Sequence, residues 1–138
     1  MLFIFDENYP PGFVQGFATI EQSDKKNPIA SKVVYSCDFM GGIQGSTDEE
    51  IITKASQLNA VIVTQDGDFK RIKHYKPLLI EHKVGYIYFK TVKGKNLYWD
   101  LVRAFINKWE DLKKEIANSE HPFAFEINKT GHISKRPF

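Results

Sequence analysis

Short, unbroken apolar runs alternate along this chain with longer mixed stretches. Leu2 to Phe5 is the first such run, the pattern of a strand buried on both faces. It stops at Asp6-Glu7-Asn8 and is followed by Tyr9-Pro10-Pro11-Gly12, where paired prolines break regular pairing. A short helix is predicted over Phe13 to Ile20, a polar loop over Glu21 to Pro28, and a second strand over Lys32 to Tyr35. Met40-Gly41-Gly42 and Gly45 mark a flexible connection. Next comes a helix opening near Asp48. Ser46 or Thr47 supplies its N-cap, Glu49 or Glu50 completes a capping box, Ile51, Ile52, Ala55 and Leu58 recur at helical spacing, and Asn59 is the stop.

Ala60 to Thr64 is a third apolar, β-branched strand, ending in Gln65-Asp66-Gly67-Asp68-Phe69, and Tyr86 to Phe89 is a fourth. Tyr98, Leu101, Val102, Phe105, Trp109, Leu112 and Ile116 trace one stripe of a long helix. That stripe packs on the sheet, and any surplus offers a homodimer seam. The tail Phe123 to Ile127 alternates and then reaches Asn128-Lys129-Thr130-Gly131 and His132-Ile133-Ser134, a hairpin or a pair of edge segments. Strands alternating with helices predict an α/β fold: a mostly parallel sheet with helices on both faces, plus a C-terminal helix and a short β tail. The 138 residues suit one domain, with a core over 1–90 and the helix and tail over 95–138.

Composition changes this picture little. A 42% hydrophobic content provides a core, no apolar run approaches the roughly 20 residues of a membrane span, and no secretory leader is legible. The lone Cys37 makes neither an internal disulfide nor a cysteine-based zinc site, which points to a reducing cytoplasm. The charge distribution is more telling. Residues 1–69 hold 4 Lys/Arg against 10 Asp/Glu, and residues 70–138 hold 15 against 7. Such a split is either solvated surface or the layout of a cation-dependent enzyme acting on a polyanion.

Among groups capable of chemistry, the acids stand out. Asp6 and Asp66 each follow a predicted strand, and ligands in open parallel sheets bind beyond the carboxyl ends of strands. Asp68 lies two residues on, and Asp48 opens a helix leading into the third strand. Converging carboxylates repel unless a cation neutralises them, and Mg²⁺ or Mn²⁺ takes hard oxygen ligands while retaining water. Each acid also has an ordinary role: Asp48 at a helix N-terminus, Asp66-Gly67-Asp68 in a turn, Asp6 capping a turn. His74, His82, His121 and His132 lack zinc spacing, and no Walker, dinucleotide or serine-elbow pattern occurs.

The order of these pieces resembles the PIN-like nucleases: a strand ending Asp6-Glu7-Asn8-Tyr9-Pro10, then Thr47-Asp48-Glu49-Glu50-Ile51-Ile52, then Val61 to Phe69. Within that family it is most similar to the compact branch related to VapC-type toxins of prokaryotic toxin–antitoxin modules. The resemblance spans roughly residues 2–90. It implies a PIN-like three-layer sandwich and a Mg²⁺- or Mn²⁺-dependent ribonuclease, with an RNA substrate and a cognate antitoxin as partners. Asp6, Asp48 and Asp66 would bind metal, Asp68 would complete the catalytic set, and Asn8 and Thr64 would orient the acids. Lys70, Arg71 and Lys73 would contact the RNA backbone, although a solvated helix face explains them equally. Two departures stand against the family pattern. A further acid has no clear position, with Asp38, Glu21 and Glu49 as equal candidates, and Gln65 replaces a basic residue. An RNA- or protein-binding module that does not cut, or another Mg²⁺-dependent phosphoryl enzyme, would share these acids.

Overall fold

The computed structural model describes residues 1–27, 29, 31–42, 47–65, 69–90 and 98–137, without the side chains of 69–72. In chain order the elements are β1 (Leu2–Phe5), α1 (Pro11–Ser23), β2 (Lys32–Tyr35), α2 (Ser36–Phe39), α3 (Asp48–Gln57) and β3 (Val61–Thr64). They continue with α4 (Phe69–Glu81), β4 (Gly85–Phe89), α5 (Tyr98–Ala117), β5 (Ala124–Ile127) and β6 (Ile133–Arg136).

Among the described residues the strands form one six-stranded sheet in the order β2-β1-β3-β4-β5-β6. All neighbours are parallel except β5 and β6, which form an antiparallel hairpin. Strand parity sorts the core into two layers. Phe3, Phe5, Val61, Val63, Ile87 and Phe89 face the layer built by α1 and α5. Leu2, Ile4, Ile62, Tyr86 and Tyr88 face the other layer, with Ile52 and Ala55 of α3 and Leu79 of α4. The result is the expected three-layer α/β arrangement. The first layer is largely aromatic: Phe5 lies 5.6 Å from Phe105, and Phe17 lies 4.7 Å from Trp109, ring centre to ring centre.

Several local expectations change in the structure. Pro10 and Pro11 open a helix, with Pro11 in the first turn, where its missing N–H breaks no hydrogen bond. That helix extends through Glu21 to Ser23, so the polar loop begins only at Asp24. A 13-residue helix, α4, begins at Phe69, with Pro77 inside it; the sequence marked it only as a solvated helix face for Lys70, Arg71 and Lys73. The tail is a hairpin as well as a sheet extension, because β5 pairs in parallel with β4 (Tyr86 with Ala124, Phe89 with Ile127). Gly85 makes that approach possible: a Cβ there would lie 2.4 Å from the buried Phe123 ring. Asn128 shapes the hairpin turn, its side-chain oxygen accepting from the N–H groups of Thr130 and His132, each at 3.0 Å.

Glu21, one of the acids considered for the site, lies elsewhere in the fold. Its carboxylate accepts from Lys113 Nζ of α5 at 2.9 Å and from Ser31 Oγ at 2.8 Å. Lys113 also reaches Glu110 at 3.2 Å. Among the described residues, no helix is long and apolar enough to cross a membrane.

Candidate metal centre

Strand order alone marks where a ligand would bind. Reading outward from β1, the chain turns one way to β2 and the other way to β3, so the topological switch point lies between β1 and β3. Asp6 is the residue immediately after β1. Its N–H donates to Val63 O at 3.0 Å, holding it beside the carboxyl end of β3. Asp6 also shares the parity of Leu2 and Ile4, whose side chains face the α3–α4 layer. Thr64 continues the same stripe from Ile62, and Ser36 follows the last residue of β2.

These positions converge. One small cavity, of about 50 Å³, is lined by the polar residues Asp6, Ser36, Asp48 and Thr64 together with apolar ones such as Ile4, Ile52 and Leu79. Asp48 arrives on the first turn of α3. Capping of that helix falls to Thr47, whose side-chain oxygen accepts from Glu50 N–H at 3.2 Å. Asp48 itself lines the cavity with Asp6.

Hydrogen bonds brace the loop that presents Asp6. The Asp6 carboxylate accepts from Asn8 N–H at 3.0 Å, so Asn8 supports the acid through its backbone. Tyr9 N–H donates to Asp6 O at 3.2 Å, and the buried Tyr9 hydroxyl donates to Thr64 O at 3.1 Å. Tyr35 OH donates to Glu7 O at 3.2 Å, tying the loop to β2 as well. The local field is negative. Burial raises the Tyr9 pKa well above its ordinary value, with the Asp6 carboxylate and Tyr88 adding to the effect. Tyr35 is raised in the same way, first by burial, then by Glu7, Cys37, Asp6 and Asp38.

Ser36 escaped sequence reasoning because nothing in Tyr35-Ser36-Cys37 signals chemistry. It is 2% exposed, and its Oγ has no hydrogen-bond partner among the described residues. Gln65, at the position where the family has a basic residue, also buries an unpartnered Oε1. Buried polar groups are rarely left unsatisfied, so an orphaned hydroxyl beside two carboxylates is the kind of group that an ion's water would complete. The donors in this cavity are all oxygen, the hard set that Mg²⁺ and Mn²⁺ take. The residues present therefore fit a divalent ion. Among the described residues, no group of three His, Cys, Asp or Glu is placed to hold a metal on its own. Asp66 and Asp68 lie outside the described residues, as do the side chains of Lys70 and Arg71 on α4. Lys73 is exposed on that helix. Of the other acids considered, Glu49 lines a separate cavity with Glu50 and Lys54, and Asp38 sits on α2 close enough to act on Tyr35.

Neither a curated protein nor a solved structure matches the chain. A family model described as a PIN like domain matches residues 1–91, spanning β1 through β4 and every acid considered for the site. The family consists generally of nucleases and typically uses divalent metals. With about two thirds of its length in that match, this chain belongs to the PIN-like domain family.

Proposed function

We propose that this protein is a metal-dependent endoribonuclease in which Asp6, Asp48 and Asp66 hold a Mg²⁺ or Mn²⁺ ion and Asp68 supports them. The observation that carries the reading is the shared cavity of Asp6 and Asp48 at the switch point of the sheet. The orphaned Ser36 hydroxyl in the same cavity adds to it. When bound, the ion would neutralise charge on the phosphodiester and make a water acidic enough to attack at neutral pH. The chain's own part is positional. Asn8 N–H and the Val63 carbonyl fix Asp6, and the apolar walls of Ile4, Ile52 and Leu79 limit bulk water behind the acids. Thr64 and Ser36 add polar oxygens to the same cavity.

The finer assignment is the toxin half of a prokaryotic toxin–antitoxin pair, partnered by an antitoxin protein. It rests on the resemblance of the three ordered segments, ending in Asp6 to Pro10, opening at Thr47-Asp48 and closing with Thr64 to Phe69, to the VapC-related branch. Expression without a partner should then arrest growth, and arrest should vanish in an Asp6→Asn variant.

The activity itself is tested by incubating the purified protein with a mixed-sequence RNA and Mn²⁺. Internal cleavage is expected, abolished by EDTA and restored by excess Mn²⁺. RNA bound but left intact at every metal concentration would instead identify a binding module that uses the same fold without cutting.

A further inference from the structure

A second concave surface lies beside the carboxylate cavity, and more than half of its lining comes from beyond β4. It is a groove of about 400 Å³ bounded by Lys76 of α4, Tyr86, Tyr88 and Lys90 of β4 and its end, and Glu126 and Arg136 of the hairpin. Its size falls in the roughly 300–1,000 Å³ range of small-molecule sites. The groove exists because β5 and β6 extend the sheet past α4. Tyr86, Glu126 and Arg136 are thereby brought onto one surface by the pairings of Tyr86 with Ala124 and of Ala124 with Arg136.

The charge pattern selects the occupant. Three cations and one carboxylate, Glu126, line the groove; Glu126 pairs with Arg136 at 3.0 Å, so the groove carries a net charge of +2. The cations come from a helix, a strand end and the hairpin, so they are distributed along the groove instead of converging on one point. That layout suits a linear polyanion better than a single anionic group. Half-buried Tyr88 adds a ring on which a base can stack, whereas Tyr86 is only 6% exposed and forms part of the wall.

Position supplies the second argument. Tyr86 lines both the groove and the carboxylate cavity. Thr64 pairs with Tyr88, so Lys90 stands two residues beyond that pair, at the same edge of the sheet as Asp6. A strand leaving the metal centre in this direction would enter the groove at Lys90 and pass toward Arg136.

We infer that the groove between α4 and the β5–β6 hairpin binds single-stranded RNA flanking the scissile phosphate. Lys76, Lys90 and Arg136 contact successive phosphates, and Tyr88 stacks on a base. Phosphate contacts carry no base information, so binding here is tolerant of sequence. This inference rests on the ribonuclease reading for its biological meaning, but its test does not depend on cleavage.

The test is fluorescence anisotropy of a labelled 12-nucleotide oligouridine with the full chain in EDTA, titrated at several salt concentrations. The variant Lys76→Ala/Lys90→Ala/Arg136→Gln should bind on the order of 10–100-fold more weakly. Its plot of log affinity against log salt should flatten by about 2, at roughly 0.7 for each single-strand phosphate that the variant leaves unneutralised. Tyr88→Leu should weaken binding several-fold with the salt slope unchanged, a combination that loss of charge does not produce. A control triple, Lys25→Ala/Lys114→Ala/Lys135→Ala, removes equal charge away from the groove and should keep the wild-type slope. Circular dichroism establishes that each variant is folded. Equal loss in both triples, or no binding by the wild type, overturns the inference. So does a polyglutamate peptide that binds as tightly and with the same dependence on the groove, since the occupant would then be an acidic protein. If groove-dependent RNA binding is found but no cleavage occurs with Mn²⁺, the nuclease reading fails and the groove stands. Cleavage with binding indifferent to the groove variants has the opposite meaning.

Discussion

Asp6→Asn should reduce Mn²⁺-dependent RNA cleavage by at least about 10²-fold, the scale on which loss of one charge-stabilising group acts in other hydrolytic sites. Few substitutions isolate charge so well. Asparagine keeps the side-chain oxygen that accepts from Asn8 N–H, and the backbone bond to Val63 does not involve the side chain. Unfolding free energy should therefore change by no more than about 0.5 kcal/mol, and what is lost is half of the carboxylate pair in the cavity. Quantified cleavage of a labelled RNA, with denaturant unfolding run alongside, separates the two effects. Wild-type cleavage by the folded variant would remove Asp6 from the mechanism.

The largest expected effect on stability lies far from that site. Lys113→Ala should cost about 3–5 kcal/mol, because it leaves the Glu21 carboxylate buried without its cation. Lys113 side-chain exposure is 1% and that of Glu21 is 8%, so water cannot replace the partner. Burial acts to lower the Lys113 pKa, but hydrogen bonds to Glu21 and Glu110 outweigh it and raise the group above its usual 10.5. A raised pKa means that the folded state binds this proton more tightly than the unfolded chain does. The contribution is therefore complete below pH 10.5 and is lost as pH rises through the folded value. The double variant Glu21→Gln/Lys113→Met should be more stable than Lys113→Met alone, since it removes the stranded charge and keeps an acceptor for Ser31. Urea unfolding of the three variants at neutral pH checks the order. A loss below about 1 kcal/mol for Lys113→Ala would mean that the pair contributes no more than a surface bridge.

What could be read from the chain followed from parity and caps. Leu2 to Phe5 is apolar on both faces, so the first polar residue after it had to leave the core at a sheet edge, and Asp6 does so. Thr47 was legible as a cap because its hydroxyl and Glu50 stand three residues apart. Other features depend on contacts that no local pattern encodes. Ser36 is buried where it shares a cavity with residues of β1, β3 and α3, and its isolation is a property of that assembled cavity. Glu21 looked like a spare acid until α5, some ninety residues later, placed Lys113 against it. The helix beginning at Phe69 was legible only as a solvated face bearing Lys70, Arg71 and Lys73, because its basic run carries little apolar pattern and Pro77 interrupts it. The parallel pairing of β5 with β4 required Gly85 to meet Phe123, a match between distant positions that periodicity cannot supply.

The claim on which the site depends is that Asp6 and Asp48 share one divalent ion. Calorimetric titration of Mn²⁺ into the wild type, Asp6→Asn and Asp48→Asn addresses it without RNA. The account predicts saturable heat near one ion per chain for the wild type. Each variant should bind more weakly by at least the roughly 10–100-fold that loss of a mere supporting residue costs at a metal site. No saturable heat in the wild type, or variants that bind Mn²⁺ as it does, would contradict the account.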